Sequence, residues 1–103
     1  MNAKGKKPET KDLFESILNL KTIEECQLFF DDLCTVSELS AMCQRISVAK
    51  MLRRNMVYSD IAAKTGASSA TISRVARCLN YGDGGYNIVL DRTDENENSG
   101  EKN

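Results

Sequence analysis

Residues 58–79, YSDIAAKTGASSATISRVARCL, carry the pattern that decides the fold. Ile61 and Ala62 fall on one face of a first short helix, and Ile72 and Val75 recur three apart on a second. Gly66 stands where the first helix must stop, because glycine enters the left-handed conformation without a steric penalty. Ala62 is small where two steeply crossed helices approach each other. Together these residues read as a helix-turn-helix, and they make the chain all-α.

Around that apolar set the second helix carries small hydroxyls near its start and cations further along. Side chains of that kind, with the free N–H groups of a helix N-terminus, suit base edges and phosphate. Ser68, Ser69, Ala70 and Ser73 are therefore expected at base edges, directly or through water. Thr71, Arg74 and Arg77, with Arg53 and Arg54 from the preceding helix, are expected to hold phosphates. A helical pair with glycine at its turn can also be purely structural. Here the joint placement of Ile61, Ala62, Gly66, Thr71, Ile72, Ser73 and Arg74 favours double-stranded DNA as the partner.

A formal net charge of −1 argues against DNA until it is mapped along the chain. In residues 41–80, Arg45, Lys50, Arg53, Arg54, Lys64, Arg74 and Arg77 face only Asp60, a balance of +6. Residues 9–40 set eight carboxylates against Lys11 and Lys21, a balance of −6. The basic charge surrounds the motif, and the acidic half is expected to face away from DNA.

At 103 residues the chain suffices for one domain, burying roughly 65% of its unfolded surface. Residues 1–10 and 91–103 are polar and read as disordered tails, the first basic and the second acidic, flanking a domain over 11–90. With no apolar run of membrane-crossing length and no secretory leader, a cytoplasmic protein is expected. Cys26, Cys34, Cys43 and Cys78 form no C-x-x-C pair, and there is no histidine, so they read as small buried apolar residues rather than metal ligands. No cofactor and no enzymatic activity are expected, since neither a glycine-rich phosphate loop nor a metal cluster is present.

Upstream, Leu13, Phe14, Ile17 and Leu18 mark a helix over about residues 10–20. Thr22 with Glu25, and Thr35 with Glu38, form capping-box patterns that start a second and a third helix, the third running to about Asn55. Leu39, Met42, Ile46, Ala49 and Leu52 give the third helix an apolar stripe, widened by Val48 and Met51. Val57 stands where Ser or Thr would normally cap the fourth. The GDGG of residues 82–85 must break the chain, and YNIVL after it reads equally as short helix or extended arm. Phe14, Leu28, Phe29, Phe30, Met51 and Ile88 exceed what one thin monomer hides, so a homodimer is expected. Two-fold symmetry would also place two reading helices about 34 Å apart, the spacing of successive major-groove faces.

On residues 33–79, with LRRNM at 52–56, Gly66 and ATISR at 70–74, the chain resembles the Trp-repressor-like superfamily. Its GDGGY segment and shortened C-terminus look most like the YerC/YecD group of Trp-repressor-related proteins. The resemblance implies an all-helical, intertwined homodimer that binds DNA through a helix-turn-helix in each subunit. It also implies a candidate cleft for a small effector, where the repressor holds tryptophan with two arginines, a glycine and a serine. Of that set Arg74 survives, while Gln44, Val75 and Cys78 replace the others, and Arg45 lies about 100° further round its helix. Val75 takes space an indole needs and Gln44 lacks the cationic face, so a tryptophan response is not expected. The whole reads as a sequence-specific transcriptional regulator. The alternatives are a protein-interaction adaptor that reuses the motif, and an architectural DNA-binding protein with little sequence preference.

Overall fold

The computed structural model describes residues 7–100, and among them it contains six α-helices and no strand. These are α1 (Lys11–Leu18), α2 (Ile23–Leu33), α3 (Val36–Arg53), α4 (Tyr58–Thr65), α5 (Ser69–Tyr81) and α6 (Gly85–Gly100). Two compact units divide the chain, one up to Leu39 and one from Ser40 onward.

The first unit holds α1, α2 and the start of α3. α2 and α3 begin where the capping patterns place them. Thr22 Oγ1 accepts from the Glu25 N–H at 3.0 Å, while Glu25 Oε1 accepts from the Lys21 N–H, one residue earlier than a standard capping box. At α3 the reciprocal pair is complete, with Glu38 N–H on Thr35 Oγ1 at 3.1 Å and Thr35 N–H on Glu38 Oε1 at 2.8 Å. Phe29 and Phe30 meet edge to face at 5.5 Å. Neither α1 nor α2 has a buried residue.

In the second unit Val48 and Ala49 of α3, Ile61 of α4, Ala67 of the turn, Ile72 and Val75 of α5, and Leu90 of α6 form one buried cluster. Each large aliphatic side chain hidden there contributes about 1.5–3 kcal/mol of transfer free energy. The α3 stripe centres on Val48 and Ala49; Ile46, expected within it, is exposed. α3 ends in a Schellman motif, with Met56 N–H on Met51 O at 3.2 Å and Asn55 N–H on Leu52 O at 3.0 Å. Asn55 takes the left-handed position at φ 63°, which asparagine tolerates better than most side chains.

Two expectations are corrected, and two core residues are added. Residues 91–100 are not a disordered tail: α6 starts at Gly85, includes YNIVL and runs through them. Leu90 in the core and three polar contacts to Arg53 hold that acidic stretch in place, a tertiary contribution that composition does not register. None of the four cysteines is fully buried; all are free thiols and Cys43 is exposed. Ala67 and Leu90 belong to the core, which local periodicity does not reveal. Lys7–Thr10 precede α1 without regular structure; the remainder of the expected N-terminal tail and residues 101–103 lie outside the described residues. Among the described residues no helix is long and apolar enough to cross a membrane.

Candidate nucleic-acid interface

The turn between α4 and α5 is built by four short hydrogen bonds. Gly66 has φ +75°, and its N–H closes α4 on Ala62 O at 2.9 Å. A Cβ there would meet nothing closer than 4.0 Å, so backbone conformation rather than space selects glycine. Thr65 Oγ1 donates back to Ile61 O at 2.8 Å and accepts from the Ala67 N–H at 3.1 Å. Ser68 then caps α5, accepting from the Thr71 N–H at 3.1 Å. Val57 makes no side-chain cap on α4, the one helix start whose sequence lacked a capping residue.

Beneath the turn, Ile61, Ile72 and Val75 are buried, so the buried faces of α4 and α5 are those the motif predicts. The opposite face of α5 presents Ser69, Ala70, Ser73, Arg74 and Arg77, all exposed. Ser68 is exposed, but its hydroxyl serves the cap and also shares a 3.1 Å hydrogen bond with Thr71 Oγ1. Thr71, half-buried, completes that pair. The first turn of α5 is thus a rigid platform of small side chains and a free helix N-terminus, which binds phosphate or base edges well.

Arg53 and Arg54 part company. Arg54 is exposed, whereas the Arg53 guanidinium, expected on phosphate, is engaged by α6: Nη2 lies 2.7 Å from Asp91 Oδ1 and 3.5 Å from Asp94 Oδ2, and Nη1 donates to Asn87 Oδ1 at 3.3 Å. Nothing in the local sequence around Arg53 announces partners 34 to 41 residues away.

The candidate effector residues stand in different surroundings. Val75 is a core residue at 1% exposure. Gln44 donates from Nε2 to Thr65 O at 3.1 Å, tying α3 to the end of α4. Arg45 is half-buried and Arg74 exposed. Cys78 lines a groove of about 480 Å³ with Ile46, Tyr86 and Val89, a wall that includes none of the other four.

A glycine-stopped helix, a capped second helix and a shared buried face define a helix-turn-helix protein. The chain belongs to the Trp repressor family: the family's model, described as Trp repressor protein, matches residues 9–94. Its relatives include the uncharacterized protein YerC of Bacillus subtilis (strain 168), 56% identical over 89 residues that make up 86% of each chain. A TrpR-like protein from Eubacterium eligens ATCC 27750 superposes with a TM-score of 0.78 at 54% identity, over 81% of this chain and 86% of that one. A Trp repressor candidate from Staphylococcus aureus gives the same TM-score at 49% identity, over 81% and 83% of the two chains. Both the fold and the YerC-group resemblance read from the sequence therefore hold, and the family is one of helix-turn-helix DNA-binding regulators.

Proposed function

We propose that the protein is a sequence-specific transcriptional regulator that binds double-stranded DNA as a homodimer and does not respond to tryptophan. The observation that carries this reading is the exposed, capped N-terminal half of α5, within a stretch of net charge +6. Ser69, Ala70 and Ser73 read base edges, partly through water, with Ser68 contributing where its cap leaves a lone pair free, while Thr71 contributes to phosphate. Arg74, Arg77 and Arg54 hold phosphates.

Dimerisation is supported by the first unit, where Leu18, Ile23 and Leu28 are 69–82% exposed and nothing on α1 or α2 is buried. A second copy covers that surface and pairs two reading helices across a two-fold site. Insensitivity to tryptophan is supported by Val75, which fills the core, and by Gln44, which is committed to the Thr65 carbonyl. The chain has no tryptophan of its own, so indole fluorescence anisotropy reports ligand alone. No saturable change is expected.

Selection of bound genomic fragments at several salt concentrations tests the central reading. Retention of a discrete set at physiological salt is expected. Uniform, salt-sensitive binding to all fragments would instead make the protein architectural, and no binding above low salt would make it an adaptor. With a recovered site, Arg77→Ala should weaken every sequence alike and flatten the salt slope by about one unit per subunit. Ser69→Ala or Ser73→Ala should instead change which sites are preferred.

A further inference from the structure

We infer that Arg53, Asn87 and Asp91 form a clamp that positions the far end of the reading helix, so that Arg53 acts on DNA binding through α6 and not by touching phosphate. This rests on the DNA-binding reading above. The last carbonyls of any helix lack helical partners. At the end of α5 the Leu79 carbonyl accepts from Asn87 Nδ2 at 3.0 Å. The other end of the same amide, Asn87 Oδ1, accepts from Arg53 Nη1 at 3.3 Å, and Nη2 of the same guanidinium lies 2.7 Å from Asp91. Asn87 and Asp91 stand four residues apart on one face of α6, with the core residue Leu90 between them. One planar guanidinium therefore links α3 to α6, and one amide links α6 to α5. A lysine ammonium cannot reproduce that two-pronged geometry.

Both terminal nitrogens of Arg53 already have oxygen partners. A phosphate approaching them would also bring its charge beside Asp91 and Asp94, a like-charge arrangement that opposes binding. The backbone under Arg53 is held as well, since α3 stops immediately afterwards in its Schellman motif. Leu79 lies ten residues beyond Ser69, about 15 Å along α5, so the clamp holds the end of the helix opposite to the one that enters the groove. Asp91 and Asp94 remain about 60% exposed, and pairs of that kind contribute little to global stability. Losing the contact should leave the fold intact and change chiefly the orientation of α5.

The test uses the full chain with Arg53→Gln, Asp91→Asn, both together, and the swap of Arg53→Asp with Asp91→Arg. Titration of a DNA fragment retained by the unaltered protein, across a salt series, reads affinity and slope, with circular dichroism checking helix content. Each single change is expected to weaken binding about three- to tenfold at an unaltered slope, with the double no weaker than the worse single. The swap restores the ion pair but leaves Asn87 Oδ1 without its donor, so it should recover only part of the loss. A slope flattened by about one unit per subunit in Arg53→Gln would overturn the inference in favour of a direct phosphate contact. Tighter binding by Asp91→Asn would overturn it in favour of acids that compete with DNA. If the unaltered protein retains no fragment, the DNA reading itself has failed, and the clamp is then judged without DNA by amide hydrogen exchange. Faster exchange at residues 79–82 in both single variants supports the clamp, and unchanged exchange there refutes it.

Discussion

The two units of this chain use their apolar residues in opposite ways. From Ser40 onward, Val48, Ile61, Ile72, Val75 and Leu90 close around one another and are buried. Up to Leu39, Phe14, Leu18, Ile23 and Leu28 stand exposed, although α2 and α3 start on well-formed caps. Good capping starts a helix, but it does not replace burial as the main source of helical stability. The second unit has the ingredients of a self-sufficient core; the first needs a surface to pack against. A short helical pair without a core is marginal in water, so a covering partner is the physical requirement behind the proposed dimer.

The contrast can be broken most severely in the second unit. Ile72→Ala should cost about 2–5 kcal/mol of unfolding free energy, read from denaturant unfolding, because α5 loses a side chain that is 1% exposed. A loss under about 1 kcal/mol would show that the core does not carry the fold. In the first unit Leu28→Glu should act on association: sedimentation velocity is expected to show a dimer at least tenfold weaker, with helix content falling on dilution as the first unit loses its cover. If association is unchanged, the exposed face of α2 is not the covered one.

Smaller effects sharpen the same comparison at the helix ends. Gly82→Ala places a Cβ 2.5 Å from the Cys78 carbonyl oxygen, and backbone must move to admit it. The expected destabilisation is about 1–3 kcal/mol by thermal unfolding, and a neutral result would mean that the α5–α6 corner is loose. Ser68→Ala removes the α5 cap and should cost about 1 kcal/mol of stability. Were stability unchanged while site preference shifted, the hydroxyl would belong to DNA readout and not to the cap.

Much of this was legible because the signals are local. Thr22 with Glu25 and Thr35 with Glu38 mark helix starts through contacts within four residues, and Gly66 marks a stop through its own φ. The buried face of α4 and α5 followed from helical spacing. Acidic composition over residues 91–100 misled, because it registers poor burial but not a cation supplied by α3. Arg53 misled for the same reason: a cation beside a DNA-binding motif looks free until the α6 carboxylates are placed next to it. Gln44 gave no hint of its bond to Thr65, twenty-one residues on.

The sequence by itself thus determined the helix boundaries near their caps, the helix-turn-helix, the basic stretch around it and the family, since each depends on residues close together along the chain. Only the tertiary structure decided that α6 continues through the acidic segment, that Val75 and Leu90 share one core, and that Arg53 turns toward carboxylates. Those outcomes depend on which groups meet across the fold. Burial and ion pairing act between neighbours in space, and spacing along the chain does not disclose them.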